Sequence, residues 1–348
     1  MSLESWRGAG PRAAVVGLAG PVLDPAEREL LRALPPAGVI LFQRNCVDRG
    51  QLRALTDEIH ALGGARRLPV LIDQEGGRVA RLRPPEWRSL PAAREIGRAA
   101  RANPNDGREA ARLAGRLIAH DLSEVGIDID CAPCLDIATP GMTEAIGSRS
   151  FADDPALVAD LGRAFADGLL AGGIAPVIKH LPGHGRAVVD SHVEVPLVSA
   201  DLPELASDFA PFAALRDLPL AMTAHVVFSA LDPGRPATVS HAVIAGTIRG
   251  ALGVQGILLS DDLAMQALTG DPASRALAAL GAGCDLALFC PGRIDETRAV
   301  LQVVPPLARS ILARLDGVLG ALAAAPRPAF DAAAAERRLA ELLAGTMA

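Results

Sequence analysis

The sequence predicts an α/β protein built as a single (β/α)8 barrel of the TIM type, with additional helices at its C-terminal end. Three observations carry this. Eight short apolar runs alternate with helix-length amphipathic segments along the chain, which is the repeat count of such a barrel. Half of the 348 residues are hydrophobic, enough for a sizeable core. Finally, Asp73, Lys179-His180, His225 and Asp261 each close a different apolar run at its C-terminal end, and in a barrel those ends converge on one mouth. A doubly wound open sheet would want a glycine-rich phosphate turn after an early strand, and no G-x-G-x-x-G or Walker pattern stands there.

In chain order, the run Ala13–Gly17 is followed by the helix start Asp24-Pro25-Ala26-Glu27 and a helix over 26–34. Gly38–Phe42 leads to a helix over 49–62. Val70–Asp73 enters the Arg- and Pro-rich stretch 74–106, read as a long loop with little regular structure, before a helix over 107–124. Ile127–Ala132 precedes a helix over 155–171 that opens on Asp154-Pro155, and Ile174–Lys179 precedes one over 203–216. Leu220–Ala224, Gly256–Ser260 and Asp285–Phe289 pair with helices over 240–251, 273–282 and 295–303, the second of these opening on Asp271-Pro272. Ala- and Leu-rich helices follow over 306–324 and 331–344, separated by Pro326 and Pro328. Residues 304–348 are therefore expected to form a helical extension packed on one catalytic domain spanning 1–348.

Composition narrows the class of partner. A net charge of −6 gives no basic field for nucleic acid, and no Lys/Arg cluster marks a membrane surface. A small molecule is the expected partner, and a monomer the expected state. Five cysteines, at 46, 131, 134, 284 and 290, are an odd number and suit a reducing compartment. Cys131 and Cys134 form C-x-x-C without a second pair, and read as core or loop thiols. The apolar stretch Ala13–Leu23 holds Gly17, Gly20 and Pro21, is too short to span a bilayer and runs straight into a helix start; it reads as the first strand rather than a targeting signal. A cytoplasmic location is expected.

The chemistry concentrates in residues 178–192, Ile-Lys-His-Leu-Pro-Gly-His-Gly-Arg-Ala-Val-Val-Asp-Ser-His. In an extended segment residues two apart point the same way. Asp190 can therefore orient the imidazole of His192, an acid/base arrangement. Leu258-Leu259-Ser260-Asp261-Asp262 ends a strand and enters a helix. Successive residues face opposite ways, so Asp261 is assigned to the mouth and Asp262 to the cap of the next helix.

Leu71-Ile72-Asp73-Gln74-Glu75-Gly76-Gly77-Arg78-Val79-Ala80-Arg81 runs from buried strand into a charged loop. Asp73 and Arg81 suit gripping a polyol, while Arg78 reads as a loop-ordering residue. Arg149, taken alone, reads the same way. His225 could be either a ligand contact or a hydrogen-bonded core residue. His60, His120 and His241 lie on predicted helices or their starts and receive no role.

Two mechanisms compete for the central loop. His180, His184, Asp190 and His192 could ligate a metal in a metal-dependent hydrolase, although Lys179 would add positive charge beside the cation. The other mechanism needs neither metal nor cofactor: Asp261 serves as nucleophile or charge stabiliser, His192 tuned by Asp190 is the acid/base, and Asp73, Arg81, Arg149, Lys179 and His180 hold a sugar. A non-enzymic sugar-binding protein is a third possibility, disfavoured because binding alone has no use for a supported histidine opposite an aspartate.

With these residues assembled, the sequence resembles glycoside hydrolase family 3, in its β-N-acetylglucosaminidase branch acting in peptidoglycan recycling. The resemblance covers roughly residues 13–300. It rests on Lys179-His180-x-Pro182-Gly183-His184-Gly185-x4-Asp190-Ser191-His192, on Asp73-Gln74-Glu75-Gly76-Gly77-Arg78, and on Ser260-Asp261-Asp262-Leu263-x-Met265. It implies a retaining mechanism with Asp261 as nucleophile and His192, partnered by Asp190, as acid/base. It also implies that Asp73, Arg81, Arg149, Lys179 and His180 contact a terminal N-acetylglucosamine. The larger β-glucosidases of that family draw their acid/base from a second α/β domain, whereas only helical segments follow residue 303 here. Leu181, Ser148 and Phe151 depart from the usual pattern; Ser148, where an acidic residue is expected, removes a possible ion partner of Arg149.

Overall fold

The computed structural model describes residues 10–64, 66–189 and 194–344. Eight parallel strands form its central sheet: β1 (Arg12–Gly17), β2 (Pro36–Leu41), β3 (Val70–Ile72), β4 (Ile129–Asp130), β5 (Ala175–Leu181), β6 (Leu220–Thr223), β7 (Ile257–Leu259) and β8 (Ala287–Phe289). Each pairs with its neighbour in sequence, and β8 pairs with β1. The ring closes where Leu259 bridges Leu286 in parallel, with Ser260 N donating to Leu286 O at 2.9 Å. This is the (β/α)8 barrel, and each predicted run supplies one strand.

Side-chain parity divides the core. Val15, Leu71, Val177, Leu220, Leu259 and Leu288 belong to the cluster inside the barrel. Their neighbours Val16, Ile72, Ile178, Ala221, Leu258 and Phe289 belong to the layer between strands and helices, as the two-residue period of a strand requires.

Helices follow the strands: α1 (Pro25–Ala33), α2 (Arg49–Leu62), α3 (Ala93–Ala102), α4 (Pro104–Glu124), α5 (Pro155–Ala171), α6 (Leu202–Ala214), α7 (Pro272–Ala282) and α8 (Ile294–Val303). The Asp starts act as caps: Asp24 accepts from Ala26 N at 2.8 Å, Asp154 from Ala156 N at 2.8 Å and Asp271 from Ser274 N at 2.9 Å. Between β6 and β7, residues Ala242–Ala251 form a π-helical segment where an ordinary helix was predicted.

The stretch 74–106 differs more from expectation, because it contains α3. Its N-cap is Ala92, which has no capping side chain; the Glu95 carboxylate accepts from Ala92 N instead, at 2.7 Å. No start signal therefore showed in the sequence. The helix is held by tertiary packing of Ile96, Ala99 and Ala100, and it touches the segment carrying Arg149. A Cβ on Gly97 would lie 1.8 Å from Phe151 O, and Arg94 donates to Ser150 O at 3.1 Å and Gly147 O at 3.2 Å.

Two more helices complete the described chain, α9 (Arg309–Ala324) and α10 (Ala332–Ala344). The chain enters α9 beside the start of β1, Leu307 N donating to Pro11 O at 2.7 Å. Leu315 then packs into the barrel-interior cluster, burial that contributes about 2 kcal/mol. α10 lies against α3 and α4, with Arg338 gripping Glu109 through two contacts of 2.9 Å. Among the described residues no helix is long and apolar enough to cross a membrane.

Candidate active site

Parity also delivers the site. Asp73, Lys179 and Asp261 lie two residues beyond the inward-facing Leu71, Val177 and Leu259, so each is the next inward position of its strand. All three line a cavity of about 300 Å³ at the C-terminal end of the barrel, together with Arg81, Arg149 and His180. His180 follows Lys179 directly, yet both reach the cavity; the peptide joining them is cis.

An alternating chain of charge runs along one wall. Arg81 Nη2 lies 3.2 Å from Asp73 Oδ2, and Lys179 Nζ lies 2.7 Å from Asp73 Oδ1 and 2.6 Å from Glu75 Oε1. Arg149 grips Glu75 through both carboxylate oxygens, at 2.7 and 2.8 Å, and its Nη2 stands 3.2 Å from His180 Nε2. His180 Nδ1 is 2.6 Å from Asp136 Oδ2, whose other oxygen accepts from His184 N at 2.6 Å. Burial disfavours charge on Asp73 and Glu75. For Asp73 the ammonium of Lys179 and the guanidinium of Arg81 outweigh it, and for Glu75 Arg149 and Lys179 do, so both acids sit below their ordinary pKa. Lys179 is raised for the reciprocal reason, its two carboxylates overcoming burial. Asp73, Glu75 and Lys179 are therefore held in their charged forms, and the wall presents fixed donors and acceptors to a ligand rich in hydroxyls.

Asp261 faces this wall. One oxygen, Oδ1, accepts from Asp262 N at 2.8 Å. Burial pushes its pKa up, but the charges of His180 and His225, with that N–H, bring it below the ordinary value. It is an ionised carboxylate in a confined cavity, the state a nucleophile needs. Asp262 Oδ1 accepts from Ala264 N at 3.0 Å and from Cys290 N at 3.1 Å. No helix begins at Asp262, where the sequence predicted a cap: residues 263–268 are turns and bends, and the contact with Ala264 N closes a turn instead, while Asp262 also borders the cavity.

Residues 18–314 match the N-terminal domain of glycosyl hydrolase family 3. The chain belongs to glycosyl hydrolase family 3. A β-hexosaminidase of Bordetella avium is 40% identical over 303 residues, covering 85% of this chain and 86% of the relative. Two structures of NagZ from Neisseria gonorrhoeae are similar to this family 3 chain, each 32% identical over 96% of it. One, in complex with zinc ion, has a TM-score of 0.83 and is covered to 99%; the other, in complex with N-trifluoroacetyl-D-glucosamine, has a TM-score of 0.84 and is covered to 98%. The chain is a glycoside hydrolase of the β-N-acetylhexosaminidase type.

Within this family 3 site, sequence reasoning did not assign the two acids that organise the wall. Glu75 stood in a quoted motif without a role. It supplies the partner for Arg149 that Ser148 does not. Asp136 lies four residues beyond the fourth apolar run, Ile127–Ala132, and that nearness was its only signal. Asp190 and His192 lie outside the described residues.

His225, considered as a ligand contact, is fully buried and does not border the cavity. Nε2 donates to Asp262 O at 3.0 Å and Nδ1 contacts Thr238 Oγ1 at 2.7 Å. Both ring nitrogens are thus occupied by protein, and the histidine steadies the peptide after Asp262. Arg78 has the loop-ordering role expected, donating to Ala145 O at 2.5 Å and Ile146 O at 3.4 Å, while also bordering the cavity.

Asp136 makes the site pH-sensitive. Burial disfavours its charge, but the charge and hydrogen bond of His180, followed by His184, hold its pKa down to about 2. An unfolded aspartate titrates near ~3.9, so ionised Asp136 stabilises the fold by about 2 kcal/mol above that pH. The contribution is lost as pH falls through about 2. Denaturant unfolding followed from about pH 5 to pH 2 is expected to lose stability less steeply in Asp136→Asn than in the parent. Equal slopes would remove Asp136 from this role.

Proposed function

We propose that the protein is a retaining exo-β-N-acetylglucosaminidase that removes the non-reducing terminal N-acetylglucosamine from cell-wall muropeptides. The substrate in this reading is N-acetylglucosaminyl-1,6-anhydro-N-acetylmuramic acid, with or without its peptide. The observation that carries it is the position of Asp261: an ionised carboxylate, one oxygen held by the next N–H, opposite a wall of fixed charges suited to a pyranose.

In the first step a carboxylate oxygen of Asp261 attacks the anomeric carbon while His192 protonates the departing glycosidic oxygen, leaving a glycosyl-aspartate. In the second, His192 takes a proton from water, which attacks the same carbon and releases Asp261. Asp190 orients and supports the imidazole. Asp73, Arg81, Lys179, His180 and Arg149 hold the sugar hydroxyls, and Glu75 and Asp136 hold Arg149 and His180 in place. The five cysteines are free, which supports a reducing, cytoplasmic setting.

A fluorinated N-acetylglucosaminide or 2-fluoroglucoside inactivator is expected to leave its label on the peptide containing Asp261, as read by mass spectrometry. Label on any other carboxylate would discard the assignment. In this reading no metal is catalytic, so activity is expected to survive prolonged chelation; its loss, with recovery on adding back metal, would favour the metal-dependent alternative.

A further inference from the structure

Behind the sugar cavity lies a second constellation that the reaction above does not use as such. The thiol of Cys134, the Asp136 carboxylate and the His180 imidazole place one donor atom each within 4.8 Å of the others, and all three residues are buried. Cys134 and Asp136 are two apart beyond β4 and so point the same way, while His180 comes from β5. The register is set by backbone, since Cys134 bridges Lys179 in parallel and Leu135 N donates to Lys179 O at 2.7 Å.

The hydrogens in this cluster converge on one atom. Asp136 Oδ2 lies 3.2 Å from Cys134 Sγ and 2.6 Å from His180 Nδ1. Arg149 can only donate, so in the neutral ring Nε2 accepts from it and Nδ1 carries the proton directed at Asp136. A thiol and an imidazole N–H sharing one carboxylate oxygen is an arrangement in which a single cation can replace both hydrogens.

We propose that Cys134, Asp136 and His180 form an inhibitory binding site for a thiophilic divalent cation such as Zn²⁺, distinct from the imidazoles of the 184–192 loop. Sulfur, nitrogen and oxygen donors suit such an ion, and three protein ligands leave a further position for water. Ordinary zinc bond lengths put tetrahedral ligand atoms roughly 3.3–3.7 Å apart. The two Asp136 contacts, at 3.2 and 2.6 Å, therefore lengthen by less than about 1 Å to admit the ion. His180 borders the cavity and gives the ion its way in.

Binding releases the thiol proton to solvent. With Nδ1 on the metal, the remaining ring proton sits on Nε2, facing Arg149 Nη2 across 3.2 Å. Two donors cannot keep that contact. Arg149 is gripped by Glu75, so the sugar-binding wall must shift and hydrolysis is inhibited.

The test is a titration of the purified enzyme with Co²⁺ and Zn²⁺. Co²⁺ is expected to give a thiolate-to-cobalt charge-transfer band saturating near one equivalent, which Zn²⁺ abolishes while inhibiting hydrolysis of an aryl N-acetyl-β-glucosaminide. Cys134→Val, which touches no sugar, is expected to lose the band and to need at least about tenfold more Zn²⁺ for half-inhibition, a loss of about 1.4 kcal/mol. Cys134→Ser should behave alike and serves if the valine variant does not fold. Wild-type protein without the band, or variants inhibited at the same Zn²⁺ concentration, would overturn the site; the latter is the result expected if zinc acts only at the loop imidazoles. The cobalt band needs no turnover and so stands apart from the reaction proposed above.

Discussion

Asp261→Ala is expected to lower kcat by a factor on the order of 10⁴ or more while leaving the protein folded. The size follows from the role: without the carboxylate there is no covalent intermediate, and the cavity can only orient a sugar. The folded state should tolerate the change because among the described residues the side chain accepts one hydrogen bond, from Asp262 N, and borders a cavity. The decisive refinement is rescue. Azide can enter the space left by the carboxylate and attack the anomeric carbon from the same face, giving a glycosyl azide of inverted configuration. Turnover by Asp261→Ala within about tenfold of the parent, on any aryl N-acetylglucosaminide, would show that another group attacks.

Lys179→Met carries the largest expected effect on stability. Lys179 is 1% exposed, and its ammonium touches both Asp73 and Glu75. Methionine matches the stem but leaves two buried carboxylates without the cation that stood between them, Asp73 keeping only Arg81 and Glu75 only Arg149. Breaking a buried pair in this way costs about 3–5 kcal/mol, measurable as a lower denaturation midpoint at unchanged m-value.

The pH dependence of that loss identifies its cause. In the parent, Asp73 and Glu75 have lowered pKa values, so their contribution is present at neutral pH and is lost on acidification. In Lys179→Met, burial and mutual repulsion raise at least one of them above its unfolded value. That acid then destabilises the fold at neutral pH, and the destabilisation is relieved as pH falls through the raised value. The stability gap between parent and variant should therefore narrow from pH 7 towards about pH 5. A gap that stays constant would mean that lost packing, not stranded charge, accounts for the cost.

These two residues illustrate how much of the site was readable beforehand. Asp73, Lys179 and Asp261 each extend the inward-facing series of a strand by one more period, so their direction follows from local backbone geometry alone. Asp24, Asp154 and Asp271 likewise cap the helices that follow them, because a cap is made within three residues of itself. What was missed lacks such a local rule. Nothing in the Arg- and Pro-rich stretch before Pro104 announces α3, whose helix depends on the surface it packs against. His225 ends an apolar run as Lys179 does, but hydrogen bonds to Thr238 and Asp262 turn it into a buried support.

The sequence by itself determined the strand count, the barrel and that Asp73, Lys179 and Asp261 reach its mouth, because apolar periodicity and strand parity act over a few neighbouring residues. Only the tertiary structure decided the partnerships: Glu75 for Arg149, Asp136 for His180 and Cys134, α3 for the segment bearing Arg149. Those depend on distances between separate strands and loops, where a carboxylate 2.6 Å from an ammonium and one facing solvent are written with the same residue type.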